Sequence, residues 1–317
     1  MRVLVIKLGA LGDLVLAFQP FADIRAHHGR VDQGGAEITL LTTAGFAGFL
    51  EGSPWFDRVV VDERPAWWDV RGLRRLRGAL LGFDFVYDLQ TSSRSSQYFR
   101  LAGRPAWSGI ARGARFPHAN PLRDGMHTVE RQREQLAMAG VPRRADAEVG
   151  WLCGTRLFPG VVRASPTPGP SLRERGEEKY GLLAPGGAAH RLAKRWGVEG
   201  FATVAGELVR RGVRPVVVGT AGEAALGRTI VAACPEAVDL TGRTTLRELA
   251  GLAAEAVVAV GNDTGPMHLA AAMGCRCVVL FSGESDPALT APRGRVTVLR
   301  EGRLADLEVA RVAAALP

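Results

Sequence analysis

The sequence predicts an α/β protein built of two doubly wound parallel-sheet domains facing a cleft. Three observations carry this. The chain has 317 residues, too many for one ordinary core and suited to two of roughly 150. Short apolar segments alternate with segments of helical spacing, the pattern of βαβ units. That alternation stops near residue 154 and restarts near residue 180. No segment recurs with a period of about 20–50 residues, which excludes a solenoid.

In the first half, strands are expected over residues 2–8, 37–41, 58–61 and 85–89, and helices over 13–28, 70–81 and 126–140. Pro20 lies inside the first helical stretch and should kink or restart it. Gly140 and Pro142 close the last. Then the character changes. Ser165-Pro166-Thr167-Pro168-Gly169-Pro170-Ser171 suits neither a helix nor a central strand, and residues 173–179 are a charged run without an apolar face. The chain is therefore divided into an N-terminal domain (1–153), a linker or surface insertion (154–179) and a C-terminal domain (180–317). In the last, strands are expected over 181–184, 215–219, 255–260 and 276–281. Val198, Phe201, Ala202, Ala205, Leu208 and Val209 form a helical stripe, and residues 266–273 a short helix. Ligands of such sheets bind outside the carboxyl ends of the strands.

Composition narrows the class. No apolar run approaches the ~18 residues that cross a bilayer. The start, Met1-Arg2-Val3-Leu4-Val5-Ile6-Lys7, meets a Gly-containing turn and reads as a first strand, not as a signal peptide. A soluble cytoplasmic protein is the default expectation. The net charge of +8 is almost all arginine, since only Lys7, Lys179 and Lys194 are lysines. It is spread evenly over both halves, so no basic domain is set aside for nucleic acid. Cys153, Cys234, Cys275 and Cys277 make no C-x-x-C pair and are read as buried thiols. Neither an Asp-x-Asp pair nor a cluster with metal-ligand spacing occurs, so no metal and no cofactor is expected.

The sharpest motif is Gly261-Asn262-Asp263-Thr264-Gly265-Pro266-Met267-His268. A buried strand ends, a polar turn follows, and Pro266 stands near the first helical position, where its missing N–H costs nothing. Thr264 or Asp263 can cap this helix, whose free N–H groups favour an anion. Gly265 admits a phosphate to the backbone, and His268 lies one turn in. An ordinary capped helix explains the pattern equally well. After the turn Pro185-Gly186-Gly187, Lys194 and Arg195 suit a leaving diphosphate or are a solvated basic loop. In Gly219-Thr220-Ala221-Gly222-Glu223, the carboxylate suits two ribose hydroxyls or is a helix-start Glu. Lys7-Leu8-Gly9-Ala10-Leu11-Gly12-Asp13 is an incomplete dinucleotide fingerprint. Its Asp13 is either a general base or an N-cap. Asp88, Gln90, Arg94 and Ser95 mark another polar strand end. Arg71, Arg74, Arg75 and Arg77 are read first as a solvated helix face.

Gly261 to Ala272 resembles the signature of glycosyltransferase family 9, the heptosyltransferases. The agreement continues in order: Leu8 to Asp13, Tyr87-Asp88-Leu89-Gln90 with Arg94-Ser95, Lys194-Arg195-Trp196 and Leu240-Thr241-Gly242-Arg243. Gly197 stands where the family often has proline. The resemblance implies two Rossmann-like domains of GT-B type and inverting, metal-independent transfer from an ADP-sugar. It implies Asp13 as base and Lys194 on the diphosphate. Glu223, Gly219 and Thr241 fall on the nucleoside side. Asp263, Thr264, Gly265, Pro266 and His268 would hold phosphates and sugar. Gly12, Asp88, Gln90, Arg94 and Ser95 would lie toward a lipopolysaccharide core acceptor at the cytoplasmic membrane face. Arg71, Arg74, Arg75 and Arg77 are then open to acidic groups of acceptor or membrane. Oligomeric state is not specified. A nicotinamide-dependent oxidoreductase would need a complete G-x-G-x-x-G and usually Tyr-x-x-x-Lys, and the chain has neither. A non-catalytic sugar-nucleotide binder would not need both Asp13 and Lys194.

Overall fold

The computed structural model describes residues 1–143, 146–153, 179–187 and 191–317. The stretch expected to be a linker, except Lys179, and Ala188-Ala189-His190 lie outside the described residues. Two compact units form, Met1–Glu148 and Val149–Pro317.

The first unit runs β1 (Arg2–Ile6), α1 (Leu11–Val15), α2 (Phe18–His28), β2 (Glu37–Thr42), α3 (Ala44–Leu50), β3 (Arg58–Val61), α4 (Val70–Leu80), β4 (Phe85–Asp88), α5 (Ser93–Leu101), β5 (Ala106–Gly109), β6 (Phe116–Pro117) and α6 (Thr128–Met138). Its sheet is parallel throughout, in the order β3-β2-β1-β4-β5-β6. Val3, Leu4, Val5 and Ile6 are fully buried because a central parallel strand is covered on both faces. The expected helix over 13–28 is two helices. The break falls at Leu16 and Ala17, and Pro20 sits in the first turn of α2, where no intrahelical N–H bond is lost.

The second unit runs β7 (Tyr180–Ala184), α7 (Val198–Arg210), β8 (Arg214–Val217), α8 (Ala224–Ala233), β9 (Val238–Asp239), α9 (Leu246–Glu255), β10 (Val258–Asn262), α10 (Gly265–Ala272), β11 (Cys277–Phe281), α11 (Pro287–Thr290), β12 (Val296–Arg300) and α12 (Val309–Ala314). The sheet is again all parallel, ordered β12-β11-β10-β7-β8-β9. Glu255, expected to open a strand, is the last residue of α9. A capping box starts that helix: Thr245 N donates to Glu248 Oε2 at 2.7 Å and Glu248 N to Thr245 Oγ1 at 3.2 Å. The helix then buries Leu249, Ala250, Leu252 and Ala253.

Each sheet has the doubly wound order, with the direction of winding reversing between β1 and β4 in one and between β7 and β10 in the other. At such a reversal the connections leave toward opposite faces and open a crevice at the carboxyl ends of the two strands. Two loop pairs are thereby singled out, after β1 and β4 and after β7 and β10. Among the described residues, no helix is long and apolar enough to cross a membrane.

Candidate functional site

In the second unit, Asn262 ends β10 and is fully buried. Its Nδ2 donates to Pro185 O at 2.8 Å and to Gly186 O at 3.1 Å, and its Oδ1 accepts from Trp196 N at 3.0 Å. One side chain thus ties the turn after β7 to the segment that carries Lys194. Lys194 Nζ donates to Asp263 Oδ2 at 3.1 Å, and His268 Nε2 lies 3.9 Å from Asp263 Oδ1. Burial pushes the Asp263 carboxyl up. The His268 ring, the Lys194 ammonium and the Ser285 hydroxyl outweigh that and hold it below the usual carboxylate range. An ammonium has three donors, and among the described residues Asp263 takes one of those on Lys194. The Arg195 guanidinium donates to Gly187 O. Arg195 Nε and His268 Nδ1 are buried and have no hydrogen-bond partner among the described residues.

Gly265 and Pro266 open α10. Thr264 occupies the N-cap position but does not cap: its Oγ1 donates to Asn262 O at 3.2 Å, and Asp263 is spent on Lys194. The expected side-chain cap hydrogen bond from Thr264 is therefore absent. Gly187 lies against this end; a Cβ there would stand 3.5 Å from both Arg195 Cγ and Thr264 Cγ2.

Glu223 sits beside the same turn. Its Oε1 accepts from Gly187 N at 2.8 Å, and its Oε2 accepts from Thr220 N at 2.7 Å and Thr220 Oγ1 at 2.9 Å. The helix-start role is present, and Oε1 keeps a lone pair. Thr241 is buried, with its N and Oγ1 both donating to Asp239 Oδ1, at 2.9 and 2.6 Å. Gly242 N donates to Gly219 O at 2.8 Å. A Cβ on Gly242 (φ +70°) would lie 2.8 Å from Ala221 Cα, so this approach of two loops requires glycine.

In the first unit, Lys7 is buried and donates from Nζ to Leu89 O at 3.1 Å, while Leu8 N donates to Gln90 Oε1 at 2.8 Å. Burial pulls the Lys7 ammonium down to about 8; Asp13 and Asp88 raise it and Arg131 lowers it. Ala10, not Asp13, is the N-cap of α1. Asp13 lies in the first turn after Gly12, partly exposed, so the capping alternative is removed. Arg131 feels the same carboxylate: burial and Arg123 lower its basicity, Asp124 and Asp13 raise it. Lys7 and Arg131 therefore set positive charge near Asp13, which the sequence motifs do not signal.

Asp88 is fully buried, accepting on Oδ1 from Gln90 N at 3.1 Å and Thr91 N at 3.0 Å. Ser95 is fully buried in the capping box that starts α5 with Ser92. Arg94 donates to Pro65 O at 2.6 Å and Tyr98 Oη at 2.7 Å. These three brace their loop, whereas Asp13, Gly12 and Gln90 are partly exposed.

Burial raises the Asp88 carboxyl to about 6, against the bonds from Thr91, Ser95 and Gln90 and the Lys7 charge. A folded value above the unfolded ~3.9 means that the protonated form favours folding. That stability is full below pH ~4 and lost as the pH rises through about 6. Asp88→Asn is therefore expected to flatten the pH dependence of unfolding between pH ~4 and ~6.5, with a change on the order of 1–3 kcal/mol relative to wild type. Urea unfolding at several pH values checks this; a wild-type-to-variant difference independent of pH contradicts it.

Cys234, Cys275 and Cys277 are buried free thiols; Cys153 is exposed, contrary to expectation. Among the described residues, no three His, Cys, Asp or Glu converge as a metal-ligand set.

Comparison with known proteins fits this arrangement. The family model described as glycosyltransferase family 9 (heptosyltransferase) matches residues 73–305. Lipooligosaccharide heptosyltransferase 2 of Haemophilus influenzae is 35% identical over 126 residues, 37% of this chain and 36% of that protein. Lipopolysaccharide heptosyltransferase 2 of Salmonella typhimurium is 35% identical over 111 residues, 33% and 32% of the two chains. These matches span about a third of the length of the curated relatives. The structure of E. coli ADP-heptose lps heptosyltransferase II shares the fold at a TM-score of 0.72 and 22% identity, covering 99% of this chain and 97% of that one. E. coli heptosyltransferase WaaC, solved with ADP, does so at a TM-score of 0.77 and 22% identity, covering 99% and 98%. The fold is thus GT-B, two Rossmann-like doubly wound units. With a family model matched across 73–305 and this topology in both units, the chain belongs to glycosyltransferase family 9, the heptosyltransferases.

Proposed function

We propose that this protein transfers heptose from ADP-heptose to an inner-core lipopolysaccharide acceptor, with inversion and without a divalent metal, at the cytoplasmic face of the inner membrane. The observation that carries the reading is the cluster at the second sheet's reversal point. Lys194, Asp263 and His268 stand there beside a helix N-terminus whose N-cap Thr264 makes no side-chain cap bond, and among the described residues Arg195 Nε and His268 Nδ1 are unpartnered. Cleaving ADP from the sugar builds negative charge on the diphosphate. A cationic side chain and a helix N-terminus can stabilise that charge where other enzymes place a metal ion.

In this reading residues 180–317 bind the donor and residues 1–153 the acceptor, with 154–179 as linker. Lys194 holds the diphosphate; Thr264, Gly265, Pro266 and His268 receive phosphates and sugar; Asp263 orients Lys194 and His268. Glu223, Gly219 and Thr241 shape the nucleoside side, Glu223 through the free lone pair on Oε1. In the first unit Asp13 removes the proton from the acceptor hydroxyl as that oxygen attacks the anomeric carbon and the bond to ADP breaks. Gly12 and Gln90 line the acceptor side, while Asp88, Arg94 and Ser95 act through the loop they brace. Lys7 and Arg131 favour an acceptor bearing carboxylates or phosphates.

A thermal-shift series with ADP, UDP and GDP, with and without EDTA, tests the donor half. ADP at about 100 times its dissociation constant should stabilise by roughly 2.7 kcal/mol. EDTA should not change this. Stabilisation by UDP or GDP at lower concentration than by ADP, or an ADP effect abolished by EDTA, contradicts the reading.

A further inference from the structure

α4 of the first unit faces its own core with Gly72, Leu76 and Leu80. Positions 70, 74, 77 and 81, at helical spacing, share the opposite face, where Val70, Arg74, Arg77 and Leu81 form one outward stripe. Val70 is 59% exposed and Leu81 40%. Just before the helix, Trp68 is 86% exposed, and Asp69 fixes the turn by accepting on Oδ1 from Gly72 N at 2.9 Å. Trp67 is held from behind by the Arg94 guanidinium, 5.0 Å from its ring centre. Arg71 flanks the stripe and is exposed. Among the described residues no carboxylate lies within ion-pair distance of Arg71, Arg74 or Arg77; the nearby Glu63 is taken by Arg75 at 3.0 Å.

This surface is costly as a bare solvent face. An indole and two branched aliphatic side chains stand in water, and three like charges crowd one side of the helix without counter-ions. Both costs are relieved together by one environment, an interface that takes apolar tips a few ångströms deep and presents negative charge beside them. We propose that the Trp68–Leu81 surface docks on an anionic lipid bilayer, with Trp68, Val70 and Leu81 among the headgroups and Arg71, Arg74 and Arg77 against their phosphates. The proposal does not rest on the reaction assigned above, because vesicles without sugar acceptor carry its test.

Full-length protein is sedimented with vesicles of phosphatidylglycerol and phosphatidylethanolamine, and with vesicles of phosphatidylcholine. Binding is expected to the anionic vesicles only and to weaken as salt is raised. Each cation near such a surface contributes about fivefold, so Arg71→Ser/Arg74→Ser/Arg77→Ser should weaken binding on the order of 10²-fold. Trp68→Ser should weaken it several-fold with unchanged melting temperature. Millimolar inorganic phosphate should not compete, which separates a lipid surface from a free-phosphate site. Transfer to a water-soluble acceptor fragment should be the same for wild type and the triple variant. Equal vesicle binding by wild type and both variants overturns the proposal, as does no binding by wild type. So does loss of transfer to the soluble acceptor in the triple variant, since these arginines would then bind the acceptor itself. A dimer that Trp68→Ser dissociates would also overturn it, the occupant being a second copy.

Discussion

Asp13→Asn is expected to lower heptosyl transfer by about 10²–10⁴-fold, the contribution of a general base, with ADP-heptose affinity unchanged. The substitution keeps size and hydrogen-bonding shape and removes only basicity. The competing explanation for an aspartate here is mechanical. As an N-cap it would be replaced by asparagine without loss, but Ala10 holds that position and Asp13 lies inside the first turn. What remains is a favourable alignment with the helix dipole and the charge balance of buried Lys7, together worth about 1 kcal/mol or less at this partly exposed place. A loss of that size shows in the melting temperature and not as a hundredfold loss of turnover. Transfer rate, donor affinity and melting temperature are therefore read side by side on the same preparation. A folded Asp13→Asn protein with near-normal transfer would remove Asp13 from the chemistry and leave the base unassigned.

Lys194→Met is expected to lower kcat/KM by about 10²–10³-fold, and to weaken ADP itself less than it weakens turnover. The reason is differential: the diphosphate gains charge as the glycosidic bond breaks, so a cation beside it is worth more in the transition state than in the ground state. The same change strands the Asp263 carboxylate, only 10% exposed, without its cation. Removing one partner of such a pair costs on the order of 3–5 kcal/mol of stability, which would cloud the kinetic result. Lys194→Met/Asp263→Asn separates the two effects. The double variant should recover most of the lost stability and none of the lost turnover. Recovery of turnover together with stability would make Lys194 a structural partner of Asp263 and nothing more.

How much of this was legible in the sequence differs by element. The first strand, the strands over 58–61 and 85–89 and the helix at 70–80 stand within about a residue or two of expectation, because apolar alternation and helix punctuation are local signals. β5, β6, β9 and β12 have no matching expectation: β6 and β9 have only two residues, and the pairing of β5 with β4, β6 with β5, β9 with β8 and β12 with β11 is decided by tertiary contact. α5 begins inside the motif that reads as a polar strand end, although Ser92 and Ser95 carry a readable capping signal. Asp263, His268 and Lys194, assigned to the donor in the proposed reading, come together over a sequence separation of about 70 residues that only the fold can close. Asn262 was read as part of a polar turn, yet it joins the turn after β7 to Trp196. Lys7 had a usable signal. It is one of only three lysines, and it stands at the end of the first strand. Arg131 has none, since nothing local separates it from the other arginines.

Transfer itself is the decisive measurement. Full-length protein is given ADP-heptose and an inner-core lipopolysaccharide acceptor lacking heptose, in EDTA, and product is followed by mass. The expected result is addition of one heptose with release of ADP, at a rate that Mg²⁺ does not raise and that UDP- or GDP-sugars do not support. Transfer that appears only with added divalent metal would contradict the assignment of Lys194 and the α10 N-terminus as the diphosphate's charge partners. ADP-heptose left unconsumed, with another nucleotide sugar used in its place, would contradict the donor.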